Sequence, residues 1–276
     1  MGILRITTLV ENTKISSDLE NKHGLSFHIK TDKHSILFDL GPKGVLLDNA
    51  KKLGVDLKEV DIVIISHGHS DHGGALEEFL SVNHKASIYV NKEAFNEYYS
   101  VLGSFKKYIG LDRELKNNKR IVLVDGDLEI DDELYIFSKI ERNHNISKFN
   151  EDLYKRVDGL YLEDDFSHEQ NLIVKEGNKS LLFSGCAHND IRNILDKAQN
   201  IIGKDLDCVI SGFHLVNQST GRCESETFID ELAEVLDKRD TKFYTCHCTG
   251  MSPYKILKRK LGDKIDYIST GKIVDL

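Results

Sequence analysis

Hydrophobic residues in the first forty positions are grouped in a way that predicts short strands. Apolar and β-branched residues concentrate at 3–10, 25–30 and 35–40, and polar or glycine-containing breaks separate these stretches. The pattern predicts an antiparallel meander. From Gly44 onward, short apolar stretches alternate with segments of helical periodicity, which indicates repeated strand–helix units.

Strands and helices are predicted to alternate through most of the remaining chain. The predicted helices lie near 45–53, 74–82, 92–99, 191–202, 224–238 and 253–261. The predicted strands lie near 60–66, 87–90, 171–175, 180–184, 208–211, 242–245 and 267–269. This order, after a β meander, predicts a layered α/β sandwich. Because no linker rich in proline, glycine and serine divides the chain, we expect a single domain over 1–276.

The stretch from about 100 to 167 has the weakest periodicity and predicts an irregular insertion. Its charges cluster at 116–120 and 125–133, and most of them are expected on solvated loops and edge strands. Long irregular segments in compact domains are often functional. We therefore expect this insertion to cover the site.

The charge balance argues against polyanionic partners. The chain has 37 Lys and Arg residues against 45 Asp and Glu, a net charge of −8, which disfavours nucleic acids and anionic membrane surfaces. No apolar run approaches the roughly 18–20 residues of a membrane span, and the N-terminus lacks a signal-peptide pattern. These features predict a cytoplasmic protein without a nucleic-acid or membrane partner. Its five cysteines are an odd number, which favours buried thiols or metal ligands over disulfides.

The apolar strand predicted at 60–66 runs directly into a segment rich in metal-ligating side chains. His67, His69, Asp71 and His72 follow within six residues, among glycines that allow tight turns. Burying these side chains without partners would cost considerable free energy. Imidazole nitrogen and carboxylate oxygen together suit zinc. The spacing therefore predicts a metal site.

This histidine-rich segment resembles the signature of the metallo-β-lactamase superfamily. The stretch 36–41 resembles the early aspartate motif of that superfamily, and 244–250 resembles its late histidine motif. Phrases at 9–12, 23–26, 168–172, 184–188 and 212–215 resemble a branch of metal-dependent hydrolases known through dihydropterin–ribofuranosylaminobenzene-phosphate synthase. The resemblance implies a four-layer αβ/βα sandwich that binds two divalent metal ions. Zinc is the expected metal, and iron and manganese are the alternatives.

The resemblance also implies which side chains bind the metals. One metal takes His67, His69 and a third histidine, and the other takes Asp71, His72 and His247. The third histidine is either His168 or His188, and His168 is favoured by its place before a predicted strand and ahead of Cys186. Cys186 occupies the usual position of a bridging aspartate. It is expected either to bind the second metal or to be an inert buried thiol.

Four further residues near these motifs have candidate roles. Asp39 follows an apolar run and is expected to hydrogen-bond a ligand or nearby backbone. His214 is expected to bind substrate, to donate a proton or to fill a core position. Cys246 and Cys248 flank His247 at alternate positions, so on a strand they would point away from the metal. Both are expected to be structural thiols.

The residues after His247 predict a helix start beside the site. Ser252 before Pro253 fits an N-cap, and the free N–H groups of a helix start attract anions. We therefore expect Thr249 and Ser252 either to bind a phosphate or carboxylate of the substrate or only to cap the helix. Asn189 and Asp190 also open a predicted helix near the site.

The resemblance implies hydrolysis, or a related metal-assisted transfer, of a small phosphorylated or pterin-like metabolite. The nucleophile would be a metal-bound hydroxide, and Asp71 would orient it or shuttle its proton. Two alternatives remain open: an iron-containing redox or sulfur-handling metalloenzyme, which the cysteines suggest, and a non-catalytic metal-bound sensing protein. His69 favours zinc, because di-iron relatives carry glutamate at that position.

Overall fold

The part of the chain that the structure describes, residues 4–276 of a computed structural model, contains eighteen strands and six α-helices. The strands are β1 (Arg5–Val10), β2 (Ser26–Lys30), β3 (Ser35–Phe38), β4 (Ile62–Ile65), β5 (Ser87–Asn91), β6 (Glu97–Leu102), β7 (Phe105–Tyr108), β8 (Ile121–Val124), β9 (Leu128–Glu129), β10 (Leu134–Ser138), β11 (Leu153–Val157), β12 (Leu160–Glu163), β13 (Gln170–Glu176), β14 (Lys179–Phe183), β15 (Cys208–Ser211), β16 (Lys242–Thr245), β17 (Ile265–Tyr267) and β18 (Ile273–Asp275). The helices are α1 (Leu46–Lys52), α2 (Ser70–Gly73), α3 (Leu76–Val82), α4 (Ile191–Ile202), α5 (Glu226–Asp237) and α6 (Met251–Leu261). Ile3, the first residue of the strand predicted at 3–10, lies outside the described residues.

Two seven-stranded sheets face each other across a shared apolar core. The first has the strand order β18-β1-β2-β3-β4-β5-β8, and the second has the order β17-β16-β15-β14-β13-β10-β9. Helices α1 and α3 cover the outer face of the first sheet, and α4, α5 and α6 cover that of the second. The predicted four-layer αβ/βα sandwich is therefore confirmed.

Strand β4 shows how the sequence specifies two packed faces. All four of its residues are buried. Ile62 and Ile64 pack into the core between the sheets, whereas Val63 and Ile65 pack against the outer helices. Because side chains alternate along a strand, a strand buried on both faces is apolar at every position. This strand ends directly before the histidine-rich segment.

The predicted meander is confirmed, since β1 pairs with β2 and β2 with β3 in antiparallel register. In the second sheet, β14, β15 and β16 run parallel to one another. Their carboxyl ends therefore lie at one edge of the sheet, where α/β proteins commonly place their sites. Strand β18 was not predicted; it pairs with β1 across almost the whole length of the chain.

The prediction of a helix at 92–99 and the prediction that the insertion is irregular were wrong. Residues 92–96 form turns, which Asn91 caps by accepting a hydrogen bond from the Glu93 N–H, and β6 follows. The insertion is not irregular, because β6, β7, β11 and β12 form a four-stranded antiparallel sheet in the order β12-β11-β6-β7. Its central pairing joins Ser100 to Leu153, a contact between residues far apart in sequence. Local periodicity carries no signal for such a pairing.

No helix in the described part of the chain combines the length and hydrophobicity that a membrane span requires.

Candidate metal centre

The turn after β4 places the histidine-rich segment at the edge between the two sheets. His67 is fully buried, and His69 is 4% exposed. Gly68 between them is required sterically, because a Cβ atom there would lie 2.5 Å from the carbonyl oxygen of Ala94. The short helix α2 then carries Asp71 and His72. A tight turn followed at once by a helical turn therefore directs all four side chains to one place.

Three imidazole rings, those of His67, His69 and His188, meet at nearly right angles. Their centroids are separated by 4.6 Å (67 to 69), 5.0 Å (67 to 188) and 5.1 Å (69 to 188), with interplanar angles of 78°, 75° and 82°. The Nε2 atoms of all three are buried without a hydrogen-bond partner. Buried polar atoms are rarely left unpaired, so this arrangement suits a cation bound among the rings.

Burial keeps these three histidines neutral, because it disfavours the charged imidazolium. Burial and the neighbouring histidines lower the pKa of His67 and His188 well below the usual value, and that of His69 to about 3. Neutral imidazole is the form that binds metals. The electrostatics of this group therefore fit a metal site.

A second group contains Asp71, His72, His247 and Cys186. The Cys186 Sγ lies 3.2 Å from the His72 Nε2, and the Asp71 Oδ2 lies 3.3 Å from the His247 Nε2. Burial disfavours ionisation of Asp71, but the nearby His72, His23 and His247 outweigh it and hold its pKa well below the usual range. Asp71 is therefore an ionised carboxylate, an oxygen ligand suited to a divalent cation.

Cys186 lies between the two groups. Its Sγ is within 4.8 Å of ligand atoms of His67 and His188, and also within that distance of those of His72 and His247. This is the placement that a residue shared by two cations requires. The residues present therefore fit two neighbouring metal ions.

Hydrogen bonds at the outer nitrogens orient the imidazole rings. The Nδ1 atoms of His72, His188 and His247 contact Asp39 at 2.6 Å, Asn150 at 2.8 Å and Asn12 at 2.8 Å. Asp39 also accepts hydrogen bonds from the Ser66 N–H and hydroxyl, at 2.7 and 2.8 Å. Such partners fix the ring so that its other nitrogen points inward.

Several residues that support the candidate ligands were given no role from the sequence. Glu11 and Asn12 belong to one of the quoted motif phrases, which was the available signal. Glu169 belongs to another and accepts hydrogen bonds from the His188 and Asn189 N–H groups, at 2.7 and 3.1 Å. Asn150 lies in the segment considered irregular, and no sequence signal singled it out.

The preference for His168 as the third ligand is not supported by its contacts. Its Nδ1 accepts a hydrogen bond from the Gly68 N–H at 2.9 Å, and its Nε2 contacts the Asp164 Oδ2 at 3.0 Å. Both ring nitrogens therefore already have polar partners, and the bond from the Gly68 N–H stabilises the turn between His67 and His69. His188, in contrast, has an unpartnered Nε2 beside those rings. Sequence order could not distinguish these two environments.

The expectations for the helix start after His247 are also corrected. The N-cap of α6 is Gly250, not Ser252, and Ser252 is exposed. Thr249 is fully buried, and its Oγ1 contacts Thr245 at 2.5 Å and accepts from the Phe213 N–H at 2.8 Å. Neither residue lines the cavity above the centre. The expected anion site therefore has no support here.

Cys246 and Cys248 occupy different environments. Cys246 lies in the core between the sheets, as a structural thiol would. Cys248 lines the cavity, because His247–Thr249 form a 3-10 turn in which strand alternation no longer applies. The expectation that both thiols point away from the site was wrong for Cys248.

A cavity of about 410 Å³ opens above the two groups. His23 stacks on His247 with ring centroids 4.6 Å apart, and its Nε2 lies 3.2 Å from the Asp71 Oδ2. Other lining residues come from the inserted sheet, from the segments next to β7 and β11, and from the loop after β15: Ser100, Lys107, Ile109, Phe149, Asp152, Leu153, His214, Val216, Asn217, Gln218 and Ser219. The centre is therefore accessible to a small molecule.

Among the residues that hold the candidate ligands in place, Glu11 has the clearest expected effect on stability. It is fully buried, and its carboxylate accepts hydrogen bonds from the His247 N–H and the Tyr267 hydroxyl, both at 2.7 Å, and from the Thr13 N–H at 2.6 Å. Glu11→Ala leaves these donors unpaired, so we expect the free energy of unfolding of the metal-free protein to fall by about 3 kcal/mol. Urea denaturation measures this.

Glu20→Ala, at an exposed position, is the control and should change the free energy by less than about 0.5 kcal/mol. Equal losses in the two variants would contradict the importance of the Glu11 contacts.

Comparison with known proteins places these features in a family context. Residues 21–214 match the sequence profile of the "Metallo-beta-lactamase superfamily". An uncharacterized protein of Methanocaldococcus jannaschii is 27% identical over 282 residues, covering 98% of this chain and 100% of the relative. The 7,8-dihydropterin-6-methyl-4-(beta-D-ribofuranosyl)-aminobenzene-5'-phosphate synthase of the same organism is 26% identical over 287 residues, covering 98% of this chain and 96% of the relative.

A solved structure has the same fold over nearly the whole chain. Tm1679, described as a metal-dependent hydrolase of the beta-lactamase superfamily, is 28% identical, with a TM-score of 0.82 and 99% coverage of both chains.

Proposed function

The chain belongs to the metallo-beta-lactamase superfamily, and we propose that it is a dinuclear metal-dependent hydrolase, or a related metal-assisted transferase, of a small anionic metabolite. One observation carries the proposal: the unpartnered, buried Nε2 atoms of His67, His188 and His247 converge around Cys186. Bound divalent cations supply Lewis acidity, which makes water acidic enough to react near neutral pH.

The proposed ligands fall into two sets that share one residue. The first cation takes His67, His69 and His188, the second takes Asp71, His72 and His247, and Cys186 is shared between them. A thiolate is a soft ligand and imidazole suits zinc, so zinc is the proposed metal, with iron or manganese as the alternatives.

Asp71 and His214 are the proposed catalytic groups. The Asp71 carboxylate is partly exposed to the cavity, and a water bound beside it would be oriented by hydrogen bonding. His214 lines the same cavity, and both its ring nitrogens are unpartnered. It is therefore free to bind the substrate or to donate a proton to the leaving group.

A group-transfer reaction is proposed as an alternative to hydrolysis, because one relative that matches along nearly its full length is named as a synthase. Both reactions need the same activation of a nucleophile, and they differ in whether water or a second substrate attacks. Product analysis with a phosphomonoester, with and without an added alcohol acceptor, distinguishes them.

Metal analysis tests the proposal directly. Protein purified without added metal should contain zinc at about two or more ions per chain and should hydrolyse phosphoesters or esters. Iron as the dominant metal would favour the redox alternative, in which the cysteines handle electrons or sulfur. Full metal occupancy with no turnover across broad ester and phosphoester panels would favour a sensing protein.

Lys107 is proposed to bind the anionic part of the substrate. Leu153, Ser100 and Lys107 are register partners on β11, β6 and β7, and all three line the cavity. Lys106, the preceding residue, points to the opposite face, where its Nζ lies 3.8 Å from the centre of the Tyr161 ring. The two lysines are therefore matched in charge and differ in which face they occupy.

Lys107→Gln should raise the KM for p-nitrophenyl phosphate about tenfold, because a hydrogen bond to a charged group contributes about 1.5 kcal/mol or more. The KM for the uncharged p-nitrophenyl acetate should stay unchanged. Lys106→Gln makes the same change in net charge and should leave both values unchanged. Equal effects of the two substitutions would exclude Lys107 from substrate binding.

A further inference from the structure

A third cluster of metal-ligating atoms lies beside the two groups described above. The Cys186 Sγ, the Cys248 Sγ and a ring nitrogen of His214 all lie within 4.8 Å of one another. They follow β14, β16 and β15, the neighbouring parallel strands of the second sheet. The carboxyl ends of these strands therefore bring together two thiols and an imidazole that are distant in sequence.

The side chain of His214 is oriented into this cluster without any partner. Both its ring nitrogens are buried and make no hydrogen bond within the described residues. Its backbone has a φ of 47°, a left-handed conformation that costs free energy for a residue with a side chain. The backbone N–H of His214 donates to the Cys248 Sγ at 3.3 Å, and that of Leu215 donates to the Cys248 carbonyl at 3.0 Å. These hydrogen bonds hold the strained backbone of His214 next to Cys248.

The backbone leaves room for the Cys248 sulfur only because position 212 is glycine. A Cβ atom at Gly212 would lie 2.5 Å from the Cys248 Sγ. Cys248 is almost fully buried, yet it lines the cavity together with Cys186 and His214. A cation bound by these three side chains would therefore have its fourth position open to the cavity.

We propose that Cys186, His214 and Cys248 form a third cation site, for a soft ion of the zinc and cadmium class. When this site is filled, His214 binds the ion and is no longer available as a proton donor. In a tetrahedral zinc site, Zn–S bonds of about 2.3 Å and Zn–N bonds of about 2.0 Å separate the ligand atoms by roughly 3.5–3.8 Å. Small side-chain movements from the present spacing suffice for this. The Cys248 thiol releases its proton to solvent on binding. Cys186, already a thiolate in the dinuclear centre, uses a further lone pair to bind this ion as well.

Titration of metal-free protein with Cd²⁺ tests the proposal, since cadmium–thiolate bonds absorb in the ultraviolet and report sulfur ligands directly. The unchanged protein should bind three Cd²⁺ ions per chain. Cys248→Ala should bind two and should lose a large part of the thiolate absorption. Cys246→Ala is the matched control, because this thiol lies two residues away in the core between the sheets, and it should still bind three.

His214→Asn provides a second variant if Cys248→Ala does not fold, and we expect its affinity for the third Cd²⁺ to be lowered at least about tenfold. Two ions in the unchanged protein, or thiolate absorption that is the same in Cys248→Ala, would overturn the third site. Failure of the dinuclear proposal has a different signature: the unchanged protein would bind a single Cd²⁺, and that ion would be lost in Cys248→Ala.

Discussion

Replacing His188 by alanine is expected to remove at least one divalent ion per chain and to lower kcat/KM by more than about 100-fold. Loss of a residue that only supports a metal ligand already costs about 10–100-fold in metal affinity or activity, so loss of a ligand should cost more. His188 contributes one of three ring nitrogens that meet around the first position, together with those of His67 and His69. His67→Ala should therefore have the same effect. Metal content after dialysis and steady-state rates measure it.

His168→Gln is the matched control for this experiment. It changes another buried histidine near the candidate centre, but one whose nitrogens contact the Gly68 N–H and the Asp164 carboxylate. We expect bound metal to stay near the level of the unchanged protein while the free energy of unfolding falls by about 1–3 kcal/mol. The opposite pattern, with metal lost from His168→Gln and retained in His188→Ala, would restore His168 as the ligand.

Asp71→Asn is expected to lower kcat by about 10²–10⁴, the usual effect of losing a group that handles a proton. Asparagine keeps the shape and one oxygen, so the fold and the first metal position should be preserved. The side chain loses the negative charge that now lies 3.2 Å from the His23 Nε2 and 3.3 Å from the His247 Nε2. Rates and metal content measured on the same sample separate lost catalysis from lost metal.

Asp152→Asn serves as the control for Asp71→Asn, since Asp152 also lines the cavity but hydrogen-bonds Asn217 at 2.7 Å, away from the histidines. It should reduce kcat by less than about threefold, in the range of substitutions outside the reacting groups. Near-normal turnover in Asp71→Asn would remove Asp71 from the mechanism. A comparable loss in both variants would indicate a general effect of cavity charge.

The histidine-rich turn could be predicted from sequence because its determinants are local. Strand β4 is apolar at every position, and the glycines and histidines follow it within a few residues. The meander and the parallel strands were predictable for the same reason: the period of apolar residues is set by the face that each strand buries. These local patterns and the resemblance they carry identify the family and the four layers.

Only tertiary contacts distinguish His168 from His188 as candidates for the third histidine. His168 and His188 are both buried histidines at strand ends, and nothing near them in sequence shows which ring nitrogen is free. The Gly68 N–H, which donates a hydrogen bond to the His168 Nδ1, lies 100 positions earlier in the chain. Asn12 and Asn150, which orient His247 and His188, lie 235 and 38 positions from their partners.

The sequence by itself determined that an apolar strand ends directly before the histidine-rich segment and that this segment carries side chains able to bind a metal, because both properties depend on neighbours along the chain. Only the tertiary structure shows how the inserted strands pair, that Cys248 faces the cavity, and which buried nitrogen atoms have no hydrogen-bond partner. Each of these depends on which distant backbone groups meet a given side chain. A ring nitrogen that accepts a hydrogen bond from a distant backbone N–H, as the His168 Nδ1 does, is no longer available to a metal.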